Sequence, residues 1–145
     1  MDQTSSQRKR LHELVKEFLS KVPSITQPQF HEFDIKQVYP DHNDDPWRIK
    51  PGVYYFSLDD DIKYVGKGSS EWGLGYRVYR GLNKVGLKTF NPPDPKPKWS
   101  DMLNDPGSRV GIFEFDPSDF YWPVSLEALL IRRLNPVLNK IGKAR

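Results

Sequence analysis

Two short apolar segments that flank an acidic turn constrain the fold of this chain more than any other feature. Residues 53–57 (VYYFS) and 62–66 (IKYVG) are rich in β-branched and aromatic side chains, and Leu58-Asp59-Asp60-Asp61 separates them. Strand-forming residues on both sides of a short polar turn are typical of a β-hairpin. The second arm then runs directly into Gly66-Lys67-Gly68. A hairpin is therefore the centre of the predicted fold.

Each arm of this hairpin carries a tyrosine, and the register decides whether the two can meet. A connection of three or five residues pairs Tyr54 with Gly66 and Phe56 with Tyr64, which places both tyrosines on one face because side chains alternate along a strand. A connection of two or four residues places them on opposite faces. We predict an odd connection, with the two hydroxyls within roughly 8 Å of each other.

Helical periodicity predicts three helices around the hairpin. Apolar residues within 6–22 predict an amphipathic helix, which either packs on the domain or joins two copies of the chain. A second apolar stripe within residues 74–85 predicts a helix after the hairpin. Ser125 is a candidate N-cap for a last helix over residues 126–134, which must end before Pro136.

The remaining segments predict a small α+β fold. Residues 110–115 form a third strand candidate, and residues 88–98 are too rich in proline for regular structure. Residues 27–50 contain three prolines and are expected to be irregular, although 31–35 resemble a short edge strand. We therefore expect a mostly antiparallel, three-stranded sheet flanked by helices. An N-terminal helix and lead-in (1–49) would precede the main domain (50–145).

Composition excludes several classes of site. The chain has 145 residues and no cysteine, which rules out disulfides, thiolate metal sites and a cysteine nucleophile. The net charge is +3 and the sequence pI is about 9.0, which is weak evidence for a nucleic-acid partner. There is neither a membrane-spanning apolar run nor a signal-peptide pattern, so we expect no membrane partner and a cytoplasmic or nucleoid-associated location.

Five sequence elements in a fixed order resemble the GIY-YIG nuclease family. They are Gly52-Val53-Tyr54, Tyr64-Val65-Gly66-Lys67, a helix with Arg77, then Glu127, and finally Pro136-Val137-Leu138-Asn139. Each tripeptide is a weak signal alone, but the ordered set is specific. The resemblance covers roughly residues 50–140.

The resemblance implies roles for the tyrosines and the basic residues. Tyr54 would lie near the attacking water as a general base, and Tyr64 would orient the water or the phosphate. A phenol is a poor base unless its anion is stabilised, and either Lys67 or a metal-bound water would do this. Arg77 would stabilise negative charge on the phosphate oxygens, since a guanidinium presents a planar pair of donors. Many members have a shorter segment before this arginine, and some have a histidine where Gly81 stands.

The resemblance also implies a metal ligand and a structural amide. Glu127 would bind one divalent ion, most simply Mg²⁺, because a single carboxylate plus waters suits a hard cation. The alternative for Glu127 is an acidic residue that only complements the helix dipole. Asn139 would support the active-site loop, or would simply cap a local turn.

Basic residues outside this set are candidate DNA contacts. Arg80 and Lys84 continue a basic stripe from Arg77 along the predicted helix. The proline-rich segment, with Lys96, Lys98 and the adjoining Trp99, either touches DNA or is a solvated connector.

The resemblance implies a metal-dependent DNA endonuclease, and two other readings stay open. A catalytically silent nucleic-acid-binding module on the same fold is one, and a structure-specific repair or RNA nuclease is the other. All three histidines precede the hairpin, which excludes an HNH-type site, and prolines exclude a strand for a PD-(D/E)xK site. The chain leaves little room for a separate recognition domain, so we favour a compact restriction-like enzyme. It would use a homodimer or sequential nicking for a double-strand cut.

Overall fold

The computed structural model describes residues 6–69 and 72–139, where a four-stranded sheet lies between helices. The strands are β1 Gln29–Asp34, β2 Gly52–Leu58, β3 Asp61–Gly68 and β4 Ser108–Glu114, and the helices are α1 Gln7–Ser20, α2 Val38–His42, α3 Gly73–Val85 and α4 Trp122–Leu134. Short 3₁₀ turns cover Pro46–Ile49, Ser100–Met102 and Pro117–Asp119. None of the helices in this part of the chain is long and apolar enough to cross a membrane.

The sheet has four strands, so the predicted number of three is wrong. The strand order is β1-β4-β2-β3, and every neighbouring pair is antiparallel. The additional strand is β1, which pairs Phe33 with Val110 and His31 with Ile112 of β4. No residue of β1 is fully buried, so its apolar pattern is faint. The α+β class is confirmed.

The hairpin has the predicted register, but a two-residue turn and a bulge produce it. Leu58 pairs with Asp61, so only two residues form the turn, and Asp59 has a φ of 53°. The predicted odd connection is therefore wrong. Between the pairs Phe56–Tyr64 and Ser57–Ile62 the register shifts, which makes Lys63 an extra residue in β3. This bulge reverses the face of every later side chain.

The two tyrosines consequently share a face, as predicted. Tyr54 pairs with Gly66 and Phe56 pairs with Tyr64. The ring centroids of Tyr54 and Tyr64 are 6.1 Å apart. The bulge at Lys63 therefore places both tyrosines on one face, as an odd connection would have done.

Helices cover both faces of the sheet. On one face, Tyr54 and Phe56 pack against apolar residues of α3, such as Leu74 and Val78. On the other face, Val53 and neighbouring residues pack against α1 and α4. The buried residues of α1 are Leu11, Leu14 and Val15, so this helix packs on the domain.

Two helix predictions need correction. The last helix begins at Trp122, not at Leu126, because Pro123 occupies the first turn and Ser125 lies inside the helix. Its predicted end at Leu134 is confirmed. The segment 27–50 is more ordered than expected, since β1, α2 and a 3₁₀ turn all lie within it. The proline-rich residues 88–98 contain no helix or strand, as predicted.

Candidate active site

A cleft of about 790 Å³ opens beside β3, which is an edge strand of the sheet. Cross-strand partners share a face, so Lys67, opposite Val53, points toward α4, whereas Tyr64 points toward α3. The cleft thus wraps around the strand edge. Eight of the ten predicted site residues line it: Tyr64, Lys67, Arg77, Lys84, Lys96, Lys98, Glu127 and Asn139.

Tyr54 lies behind Tyr64 and not on the surface of the cleft. Its side chain is only 3% exposed, and its ring crosses Gly66 on the neighbouring strand. A Cβ at Gly66 would lie 2.5 Å from the Tyr54 hydroxyl oxygen and from Cζ. Glycine at this position is therefore required by the close approach of the ring, which gives a physical reason for the Tyr-Val-Gly sequence.

The two phenols have different electrostatic surroundings. Burial, followed by the neighbouring Tyr64, raises the pKa of Tyr54 well above its ordinary value. Burial and the charge of Glu127 also raise the pKa of Tyr64. Three effects oppose that rise: a hydrogen bond from Tyr54, and the positive charges of Arg77 and Arg80. Arg77 lowers the pKa of both phenols, whereas the hydrogen bond between them lowers the pKa of Tyr64 and raises that of Tyr54.

Glu127 has a half-buried carboxylate whose negative charge is not paired within the described residues. Burial raises its pKa, and only the charges of Lys67 and Arg77 oppose this. Within residues 6–69 and 72–139, no ion pair or hydrogen bond engages its carboxylate.

A divalent cation suits this carboxylate. The same ranges contain no group of three or more metal-ligating His, Cys, Asp or Glu residues, so Glu127 would be the anionic ligand and water would complete the shell. Such a donor set fits Mg²⁺, which keeps most of its waters in proteins.

Asn139 binds the edge strand instead of facing substrate. Its side-chain oxygen accepts from the Val65 amide at 2.9 Å, and its Nδ2 donates to the Val65 carbonyl at 2.8 Å. The adjacent Leu138 amide donates to the carbonyl of the bulged Lys63 at 2.9 Å. This side chain therefore pairs with β3 as a strand backbone would, and it holds the C-terminal segment against the cleft.

Sequence reasoning placed Trp99 in a loop that either touches DNA or is a connector, but it did not predict the contact of Trp99 with Tyr64. Trp99 is 8% exposed, its ring lies 4.9 Å from that of Tyr64, and the Lys84 ammonium lies 5.1 Å from its centroid. Trp99 lines the cleft next to Lys96 and Lys98. The only signal was an aromatic residue directly after a lysine-rich, proline-rich segment.

Two positions on α3 lie outside the expected arrangement. Arg80 does not line the cleft; its guanidinium carbon is 5.8 Å from the centroid of Tyr76. Gly81 faces the core, where a Cβ would lie 2.6 Å from Cζ of Phe56. That contact explains why no histidine stands there.

Comparisons with known proteins returned solved structures alone. No protein-family model and no curated protein matches the chain. Similar structures are GIY-YIG N-terminal endonuclease domains of UvrC from Thermotoga maritima, of the same family that the motifs resemble. A point mutant bound to a catalytic divalent cation is 21% identical, with a TM-score of 0.44, over 66% of this chain and 88% of that chain. The magnesium-bound domain is 23% identical, with a TM-score of 0.42, over 66% and 89%.

Proposed function

We propose that this chain is a metal-dependent endonuclease that hydrolyses phosphodiester bonds in DNA. One observation carries the proposal: a single cleft brings together the cations of Lys67 and Arg77, the phenol of Tyr64 and the half-buried carboxylate of Glu127, which has no ion-pair partner among the described residues. A binding module would need the cations but has no use for Glu127. The choice of DNA rests on the resemblance of the motifs to GIY-YIG nucleases.

Arg77 and Lys67 supply positive charge from opposite sides of the strand edge. Hydrolysis places additional negative charge on the non-bridging oxygens of the phosphate, and Arg77 is exposed in the cleft, where its guanidinium can donate to them. Lys67 is close enough to Glu127 to lower its pKa. The phosphate therefore fits between the two cations, with the carboxylate beside it.

The two tyrosines form a short proton path, with Tyr64 at its exposed end. Tyr64 lines the cleft and, as its phenolate, would receive the proton of the attacking water, while Tyr54 donates a hydrogen bond to the Tyr64 oxygen from behind. Tyr54 thereby acts on the reaction through Tyr64, because its own hydroxyl is buried. Charges of Arg77 and Arg80 favour the phenolate further.

Glu127 would hold the divalent ion beside the phosphate. When bound, Mg²⁺ supplies Lewis-acid polarisation of the phosphate and stabilisation of the leaving oxygen. Glu127 raises the pKa of Tyr64, and this effect would weaken if the carboxylate held a cation.

The lysines of the outer wall give the cleft a surface for the DNA backbone. Lys84, Lys96 and Lys98 line it together with Trp99. Such contacts would be independent of base sequence and sensitive to salt. One cleft cuts one strand at a time, so a restriction-like double-strand cut would take two copies of the chain or two successive nicks.

A cleavage assay tests the proposal directly. Supercoiled plasmid, a labelled duplex and an RNA of the same sequence are incubated with the protein in Mg²⁺ or in EDTA, and the ends are mapped. We expect Mg²⁺-dependent nicking of DNA. Glu127→Gln should lower the rate by several orders of magnitude with unchanged or tighter DNA binding. Glu17→Gln, on the exposed side of α1, is the matched control.

Three outcomes would contradict parts of the proposal. A folded Glu127→Gln protein that cuts at the wild-type rate in Mg²⁺ would remove the metal assignment. Tight DNA binding with no cleavage by the wild type would favour the silent module. Preferential cutting of the RNA would replace DNA as the substrate.

A further inference from the structure

A second groove of about 320 Å³ lies along α3, on a different side from the catalytic cleft. Its lining contains four of the nine exposed large apolar side chains in the described part of the chain: Ile49, Trp72, Tyr76 and Phe90, which are 65%, 66%, 47% and 67% exposed. Exposed aromatic rings clustered in one groove call for a partner of flat, apolar shape.

The floor of this groove is a ladder along one face of α3 and its N-cap. Trp72, Tyr76 and Arg80 follow at four-residue spacing, so their side chains lie above one another. The rings of Trp72 and Tyr76 have centroids 5.7 Å apart and are tilted by 35°, and the guanidinium carbon of Arg80 lies 5.8 Å from the Tyr76 centroid. The ladder thus offers flat surfaces with a cation at one end.

The opposite wall is held in place by hydrogen bonds. Asn83 donates to the carbonyls of Leu87 and Asn91 at 2.9 and 3.1 Å, and accepts from the Thr89 hydroxyl at 3.2 Å. Phe90 lies between these anchors, with its ring 5.9 Å from that of Tyr79. A polar network therefore fixes an exposed phenyl ring where nothing in the described chain covers it.

The charge of the groove favours an anionic partner. Among the described residues, its lining includes two arginines, Arg48 and Arg80, and no carboxylate. Arg48 packs across Gly75, and its buried Nε has no hydrogen-bond partner in the described chain. Two carboxylates near Tyr79 are those of Asp44 and Asp45, of which Asp45 already engages His42 and Trp47. Aromatic faces flanked by arginines are the surface that unpaired nucleotides use.

We propose that this groove binds an unstacked nucleobase of the substrate strand, next to the phosphate that is cut. The inference rests on the proposed nuclease function, because α3 carries Arg77 into the cleft and Arg80 into the groove one turn later. Bases inside a duplex have both faces covered, so only an unpaired or extruded base can stack on Trp72 or Tyr76. The preferred substrate is therefore DNA with an unpaired nucleotide beside the cleavage site.

Binding in EDTA tests the groove without any cleavage. Three short DNAs are compared: a single strand, a perfect duplex, and the same duplex with one unpaired base. We expect Trp72→Ala and Tyr76→Ala each to weaken binding of the single strand and of the unpaired-base duplex by about tenfold, as expected for loss of one stacked base. Binding of the perfect duplex should not change. Tyr76→Phe keeps the ring and should bind like the wild type.

Tryptophan fluorescence gives a second readout of the same contact. Trp72 is the most exposed of the four tryptophans, so a base stacked on it should quench emission in the wild type and much less in Trp72→Phe. Tyr121→Ala is the matched control, because Tyr121 is 54% exposed and lines neither the cleft nor the groove.

The outcomes separate this inference from the nuclease proposal. Equal weakening for all three DNAs, or none for any, would overturn the stacking site whether or not the protein cuts. An altered oligomeric state of Trp72→Ala with unchanged DNA affinity would assign the groove to a second copy of the chain and would also overturn it. Selective weakening in a protein that cuts nothing would support the stacking site and reject the nuclease.

Discussion

Adjacent tyrosines on β2 occupy two polar sites of opposite character. Tyr54 points to the face of α3, and Tyr55 points to the face of α1 and α4. Both rings cross a glycine on a neighbouring strand: Tyr54 crosses Gly66, and Tyr55 crosses Gly111. Local backbone geometry is therefore alike at the two sites, and the difference lies in the partners that each hydroxyl finds.

Tyr55 belongs to a closed network. Its hydroxyl donates to Glu32 Oε2 at 2.9 Å, Glu32 also pairs with Arg8, and His12 Nε2 lies 3.3 Å from the same hydroxyl. Burial, followed by the charge of Glu32, raises the pKa of Tyr55. The carboxylate and the guanidinium balance each other. A network in which each charge has a partner stabilises the fold but has little to offer a ligand.

In the cleft, by contrast, the charges are not fully paired within the described residues. Several cations surround the single carboxylate of Glu127, which has no ion-pair partner in the described ranges. Under the proposed function, this arrangement would gain its partners when substrate and metal bind. Incomplete pairing, more than residue type, thus distinguishes a candidate active site from a structural polar cluster in this sheet.

The sharpest way to break the comparison is to remove one hydroxyl from each site. Tyr64→Phe should lower cleavage by about 10²- to 10⁴-fold, because it removes the proposed proton acceptor. Tyr55→Phe should leave the rate unchanged and lower the free energy of unfolding by about 1–3 kcal/mol, since Glu32 loses a donor. Single-turnover rates and urea unfolding measure both. Equal rates for the two variants would show that the sites do not differ in chemistry.

The arginines provide the next test. Arg77→Ala should lower the cleavage rate by about 10²- to 10³-fold and retain most of the affinity for DNA, because its contribution lies in the transition state. Arg8→Ala should keep the rate of the folded protein and lower its stability, since Glu32 loses its cation. Rates at saturating DNA, with Kd from anisotropy, separate these effects. Parallel losses of rate and affinity in Arg77→Ala would mean that this residue only anchors phosphate.

Tyr54→Phe tests whether the buried phenol acts through Tyr64. Loss of its hydrogen bond removes an effect that lowers the pKa of Tyr64, so that pKa should rise. The rising limb of the pH–rate profile should then move to higher pH, with about tenfold lower rate at fixed pH for each unit of displacement. A profile that superimposes on that of the wild type would exclude this role. Circular dichroism checks that the fold is kept.

A methyl group added under each ring compares the two sites sterically. Alanine Cβ atoms would lie 2.5 Å from Cζ of Tyr54 in Gly66→Ala and 2.1 Å from Cζ of Tyr55 in Gly111→Ala. Overpacking of this kind costs about 1–3 kcal/mol. We expect Gly66→Ala to lose activity beyond its loss of stability, because it displaces the tyrosine pair. Gly111→Ala should lose stability alone, and a reversed pattern would contradict the assignment.

Replacement of the two carboxylates should change the stability of the fold in opposite directions. Burial raises the pKa of Glu127 in the folded protein, so the stability that this group contributes is present at low pH and is lost as pH rises through that pKa. Glu127→Gln should therefore raise the melting temperature in EDTA at neutral pH and remove that loss. Glu32→Gln should lower stability by about 1–3 kcal/mol. Thermal melts over a pH series measure both, and a destabilised Glu127→Gln would contradict the first sign.

Local sequence patterns predicted the helices and strands around the site better than they predicted the turn and the bulge that connect the strands. The apolar stripe of α3 and the pairing of Tyr54 with Gly66 both came from side-chain periodicity, which the core enforces. The predicted length of the turn was wrong because the register is set by a bulge at Lys63. The carbonyl of Lys63 accepts a hydrogen bond from the Leu138 amide, in the C-terminal segment. Nothing in the local sequence around Lys63 or Leu138 predicts that the two residues are in contact.

Residues that depend on distant partners were the ones missed. Trp99 joins the site through contacts with Tyr64 and Lys84, which lie far away in the chain. The strand β1 was only a suggestion because its burial comes from pairing with β4 and not from its own pattern. Roles of individual site residues, such as Glu127 as a ligand, stay predictions that the variants above will decide.

The amide of Asn139 has a consequence for how molecules of this protein meet one another. An outermost strand normally presents free donors and acceptors, on which a foreign strand can extend the sheet into an aggregate. Here Asn139 occupies both backbone groups of Val65, and Leu138 occupies the carbonyl of Lys63. Two side-by-side residues therefore act as a plug against sheet extension at the place where DNA is proposed to enter, and they do so without covering the cleft with a further strand.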